Sequence, residues 1–187
     1  MTDRKENDMP SYAIEKFVDE GSRSGFYSLS GRRRGFKTFI NKSDAEYAHG
    51  VQTTLSKYDL APRVHSEVGR VRMFNGELSR WGYVTERAKL ITPRGHEGGC
   101  HCDRCEDMDE YYSEEIFALK MELEDLGFYF GDCHIGNVGH IRRNGEDVLV
   151  CIDTGRESIE SEFTDDEAMD GCNCTVCQII KRKGQYA

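Results

Sequence analysis

With 187 residues, 32% of them charged and 10% aromatic, the chain has the balance of a folded protein with one core or two small lobes, which excludes a disordered chain and a three-domain enzyme. Its longest apolar runs are about the length of 148–152, far short of a membrane span, and its charged start has no secretory apolar region, so a cytoplasmic location is expected. The formal charge of −9 is uneven, with 18 Lys and Arg against 14 Asp and Glu in residues 1–105 and 7 against 20 in residues 106–187, an acidity that argues against general nucleic-acid binding.

Residues 12–18, 25–29 and 35–40 have the apolar and aromatic content of three short strands. Gly21-Ser-Arg-Ser-Gly25 joins the first two, and the Gly31–Gly35 turn joins the next two, with Arg32-Arg33-Arg34 as a solvated hairpin tip. Ser43-Asp44 offers a helix cap, and Ala48, Val51, Leu55 and Tyr58 recur at helical spacing until Leu60-Ala61-Pro62 stops them. Residues 63–66, 70–74 and 81–88 suggest further strands of the same antiparallel sheet. Residues 92–107 then break the pattern with Gly, Pro, His and three Cys. A second helix is predicted from about Ser113 to Leu126, with Ile116, Leu119, Leu123 and Leu126 on one face and Gly127 at its end. Residues 138–141 and 148–152 predict a hairpin turning near Asn144-Gly145, and the tail 157–187 is acidic until Cys172 and basic at Lys181-Arg182-Lys183. Strands first and helix later point to an α+β architecture of two lobes, residues 1–91 and 92–187.

The densest chemistry lies in Phe130-Gly131-Asp132-Cys133-His134-Ile135-Gly136-Asn137, followed by the apolar strand 148–152 and then Asp153-Thr154-Gly155. Phosphoryl transfer to a hydroxyl needs one carboxylate near the acceptor, plus an amide and a second carboxylate to hold Mg²⁺ on the nucleotide. A Gly-bearing turn between two strands can close over phosphates with its N–H groups, and a Lys on the third strand, Lys37, can reach them as a point charge. In this order the parts resemble the protein kinase and aminoglycoside phosphotransferase superfamily over roughly residues 12–158. The resemblance implies a two-lobed kinase-like fold with an antiparallel N-lobe sheet and a truncated helical C-lobe.

Carried over by resemblance, Asp132 is the catalytic base or acceptor-positioning carboxylate, and Asn137 and Asp153 are the Mg²⁺ ligands. Lys37 holds the phosphates of ATP, Gly21 to Gly25 form the lid loop, and Glu86 to Ala88 are the adenine-contacting hinge. His134, two places after Asp132, is similar to the small-molecule kinase branch and has a structural role in the loop. Thr154 stands where the family usually has Phe. Gln52 lies on the buried helix face where the partner of Lys37 is expected, with Glu46 nearly opposite, and which of them pairs with Lys37 is left open.

Six of the eight cysteines repeat one pattern, Gly99-Cys100-His101-Cys102-Asp103-Arg104-Cys105 and Gly171-Cys172-Asn173-Cys174-Thr175-Val176-Cys177. Thiolates at this spacing in two tight turns suit structural Zn²⁺. Either Cys102, Cys105, Cys174 and Cys177 hold one ion, or all six, with Cys100 and Cys172, bridge two. His96 and His101 are alternative ligands, and an iron–sulfur cluster fits the thiolate count without other support. Such a staple would tie the hinge insertion to the tail and stabilise the small second lobe. Cys133 and Cys151 read as small buried hydrophobes. Two functions are expected to compete: a kinase acting on a protein or small hydroxylated acceptor, and a non-catalytic pseudokinase that binds a partner. A protein partner or second copy completing the small lobe is compatible with both.

Overall fold

A computed structural model describes residues 14–20, 24–29, 33–70, 79–92 and 102–161. Within them the protein is α+β, with antiparallel sheets and two helices. In chain order the elements are β1 (Ile14–Glu20), β2 (Ser24–Leu29), β3 (Arg34–Phe39), α1 (Lys42–Leu55), β4 (Trp81–Glu86), β5 (Lys89–Leu90), α2 (Asp103–Asp125), β6 (Phe128–Phe130), β7 (Val138–Arg143), β8 (Glu146–Cys151) and β9 (Ile159–Ser161). The chain separates into two compact units, Met1–His49 with Val64–Arg87, and Gly50–Arg63 with Ala88–Ala187.

The first unit is built on one antiparallel sheet in the order β1-β2-β3-β4. Aromatic residues fill its middle strands, and two glycines, Gly35 and Gly82, let a ring and a neighbouring backbone approach closely. One of them, Gly82, has Lys37 of β3 so near that a Cβ would fall on the Lys37 carbonyl oxygen. Phe39, Ala45, Ala48 and Tyr83 form a buried cluster, with Val64, Val68 and Trp81 packed against it. Residues 63–66, expected as a strand, make only one isolated bridge there, Val64 with Thr85. The reason is a side chain. His65 N–H donates to the Val84 carbonyl (2.8 Å), but Val84 N–H donates to Ser66 Oγ (2.9 Å), so a hydroxyl takes the place of the backbone acceptor and the ladder stops. Of the expected strand 70–74, residues 71–74 lie outside the described residues.

Helix α1 starts a residue before the expected cap, with the Asn41 carbonyl accepting its first bond from Ala45 N–H (3.3 Å). Ala45, Ala48, Val51 and Leu55 form its buried stripe, whereas Tyr58 is exposed. Tyr58 belongs to a 3₁₀ turn, Ser56–Tyr58, whose tighter winding rotates it off that stripe.

In the second unit, residues after α1 are fastened to the β7–β8 hairpin. Leu60 O accepts from Cys151 N–H (2.9 Å), and Arg143 Nε donates to Asp59 Oδ1 (2.6 Å). The hairpin pairs Val138 with Cys151 through Arg143 with Glu146, and β5 adds to β7. Its two-residue turn is Asn144 (φ 50°) and Gly145 (φ 92°), the primed geometry that Asn-Gly favours.

Helix α2 begins at Asp103, ten residues before the expected start. Cys105, Met108 and Tyr112 extend the stripe of Ile116, Leu119, Leu123 and Leu126 at helical spacing, and Asp103 and Glu106 suit the positive end of the helix dipole. Gly127 (φ 80°) ends it, its N–H donating to the Glu124 carbonyl (2.8 Å). β6 follows at once and pairs with β9, a strand the sequence did not announce. Among the described residues, no helix is long and apolar enough to cross a membrane.

Candidate functional site

β6 carries the chain from the foot of α2 into the loop at Asp132. Phe128 and Phe130 are buried and Tyr129 points outward, so the next residues emerge at the surface. Asp132 keeps a 54% exposed side chain there. Its carboxylate is held by Asn137, whose Nδ2 donates to Asp132 Oδ2 and to the Asp132 main-chain oxygen, both at 2.9 Å. That leaves Oδ1 as the acceptor arm of the Asn137 amide.

His134 locks the same loop. Its Nδ1 accepts from Gly136 N–H (3.0 Å), so a neutral ring carries its proton on Nε2, which lies 3.5 Å from Asp132 Oδ1. Nε2 is also 3.2 Å from Asn137 Nδ2. Two donors therefore stand side by side and face one carboxylate. The 3₁₀ turn Ile135–Asn137 is pinned from helix α2, where Asp109 Oδ1 accepts from Ile135 N–H (3.4 Å), and from the segment after β5, where Thr92 Oγ1 donates to Ile135 O (3.1 Å).

Asp153 reaches this loop through the hairpin. The Val138–Cys151 pair is extended by Ile152 N–H donating to Asn137 O (2.9 Å), so Asp153 begins one residue beyond a bond to Asn137. Its Oδ1 accepts from Gly155 N–H (3.2 Å) and its Oδ2 from Ser158 Oγ (2.7 Å). Ser158 O in turn accepts from Gly131 N–H (3.0 Å) and Asp132 N–H (3.4 Å). Ser158 was missed in the sequence because a serine in a short acidic stretch carries no periodic or motif signal, and β9 is only three residues long.

Cys151 is fully buried, as its apolar setting predicts. Cys133 is only partly buried. Burial pushes its thiol up from an ordinary value of 9.0 to about 11, with Asp109 and Asp132 adding to the rise and Lys120 opposing it.

The other expected residues are placed as follows. Lys37 lies in β3 between Phe26 and Tyr83, 7% exposed, with Nζ 5.4 Å from the Phe39 ring centre. Gly25 is a residue of β2, opposite Glu20 and Thr38, rather than part of the turn, and Gly21 lies outside the described residues. Glu86 ends β4, and Ala88 opens the second segment of the second unit. Gln52 is 1% exposed, and its Nε2 donates to Pro62 O (2.8 Å). Glu46 points to solvent and pairs with Lys42 at 2.9 Å.

For Mg²⁺, the donor chemistry of the loop fits: an amide oxygen and a carboxylate are hard oxygen ligands, and this ion takes one or two carboxylates with phosphates and water completing its shell. For Zn²⁺, Cys102 and Cys105 provide a thiol pair at the start of α2, with Cys105 N–H and Glu106 N–H both donating to Cys102 O (2.8 and 3.0 Å). Cys100, Cys172, Cys174 and Cys177 lie outside the described residues. Among the described residues, no group of three or more His, Cys, Asp and Glu is arranged to hold a metal. A scan against protein-family models and a search of the curated proteins give no match for this chain.

Proposed function

We propose that the protein is a small kinase-like phosphotransferase, two-lobed, that moves the γ-phosphate of ATP to a hydroxyl of a protein or small molecule. The observation that supports this best is the hydrogen-bonded junction of the Asp132–Asn137 loop with Asp153, through Ile152 N–H to Asn137 O and through Ser158. A turn-forming loop needs no second carboxylate delivered to it by a separate strand.

Asp132, half exposed and aimed by Asn137, accepts the hydrogen bond of the incoming hydroxyl and orients its oxygen. That oxygen bonds to the γ-phosphorus, the bond from phosphorus to the β–γ bridging oxygen breaks, and ADP leaves with the electron pair. The hydroxyl proton passes to Asp132 and on to solvent. Asn137 and Asp153 would hold Mg²⁺, which when bound neutralises charge on the phosphates. Lys37 would steady the phosphates, the turn that begins at Gly21 would cover them, and the backbones of Glu86 and Ala88 would meet the adenine. Cys100, Cys102, Cys105, Cys172, Cys174 and Cys177 would staple the second lobe with Zn²⁺.

One observation favours a second function, a pseudokinase that binds ATP without turnover. Gln52, on the buried face of α1, is a neutral amide and brings no negative charge to the helix position where the family resemblance expects a carboxylate. Phosphate release and autophosphorylation with ATP and Mg²⁺ on zinc-replete protein decide between the two. Turnover that is lost in both Asp132→Ala and Asp153→Ala is expected of the phosphotransferase. ATP binding without turnover, insensitive to Asp132→Ala, would establish the pseudokinase.

A further inference from the structure

We infer that Ser158 is a positioning residue that sets where Asp153 and Asp132 stand relative to one another; this rests on the phosphotransfer function proposed above. Ser158 is 1% exposed and bonds to both sides of the site at once. Its hydroxyl donates to Asp153 Oδ2 (2.7 Å), while Gly155 N–H holds Oδ1 (3.2 Å). A carboxylate tied at both oxygens cannot turn about its terminal bond, so its remaining lone pairs keep one direction.

The main-chain oxygen of the same residue accepts from Gly131 N–H (3.0 Å) and Asp132 N–H (3.4 Å), which fixes the point where Asp132 leaves β6. The segment between the two bonds is short and closed. Ser158 N–H and Ile159 N–H both donate to Gly155 O (3.1 and 2.9 Å), and Ile159 then pairs with Phe130 across β6 and β9. Asp153 is thereby linked to Asp132 through one tight turn and a single serine. This turn does the work of orienting ligands that outer groups do at metal sites generally.

The test compares wild type, Ser158→Ala and Ser158→Thr as full-length protein. Calorimetry measures binding of ATP with Mn²⁺ and of ATP with a chelator, turnover is measured with Mg²⁺, and melting is followed without nucleotide. Loss of the hydroxyl is expected to weaken Mn²⁺·ATP binding and lower kcat by about 10- to 100-fold. Metal-free ATP binding should stay as in wild type, and Ser158→Thr should recover most of the loss because it restores the donor. Equal Mn²⁺·ATP affinity in Ser158→Ala and wild type, or an equal loss with and without metal, would overturn the positioning role. A wild type that binds no Mn²⁺·ATP would overturn phosphotransfer itself, and Ser158's role in it as well.

Discussion

Replacing Asn137 separates the geometry of the loop from its metal chemistry. Its Nδ2 makes two hydrogen bonds to Asp132, each 2.9 Å, one of them to a carboxylate oxygen. Asn137→Ala removes both. Because Asp132 is 54% exposed, water replaces part of what is lost, and the net cost is about 1–2 kcal/mol. Asn137→Asp instead puts an oxygen where the nitrogen stood, 2.9 Å from Asp132 Oδ2. At that separation in water-like surroundings, repulsion adds about 1.4 kcal/mol. Without ligand the order of stability is therefore wild type, then Asn137→Ala, then Asn137→Asp, with melting points separated by about 2–4 °C per kcal/mol for a chain of this size. Adding Mg²⁺ and ATP should reverse the order of response. The alanine variant has no oxygen to offer, whereas the aspartate offers a charged one and a bound cation offsets its repulsion. Scanning calorimetry with and without Mg²⁺·ATP reads both effects. Equal melting of Asn137→Ala and wild type would refute the hydrogen-bond argument. A larger ligand-induced shift in Asn137→Ala than in Asn137→Asp would refute the role in metal binding.

Gly82→Ala drives a methyl group into the Lys37 carbonyl and is expected to cost about 1–3 kcal/mol, seen as a lower urea midpoint; an unchanged midpoint would show that β3 and β4 separate freely. Cys133 keeps its proton in the fold up to about 11, whereas the unfolded chain releases it near 9.0, so stability should fall as pH rises through that interval. Urea midpoints at pH 8 and pH 10 should show a smaller decline in Cys133→Ala than in wild type. Metal analysis of purified protein should find one or two zinc ions per chain, and a strong chelator should abolish the helical circular dichroism of α2. Zinc-free protein with full helicity would remove the staple from the proposal.

What the sequence determined is what depends on near neighbours. The strands of the first sheet follow from apolar and aromatic runs set between glycine-bearing turns, the Asn144-Gly145 turn from the φ > 0 its residues tolerate, and the Ile116–Leu126 stripe and Gly127 stop from helical spacing and a left-handed cap. The start of α2 was also written there, since Cys105, Met108 and Tyr112 continue the stripe, but a cysteine motif overlying it suggested a turn. What only the tertiary structure decided are bonds between segments distant in the chain that obey no period. Ser66 ends a ladder with Val84, and Gln52 turns its amide nitrogen to Pro62. Ser158 joins Asp153 to a loop more than twenty residues earlier. Asp132, Asn137 and Asp153 could be picked out as candidates from the motif they form with their neighbours. Their orientation could not, because it is set by hydrogen-bond partners that become neighbours only when β6 meets β9 and β7 meets β8.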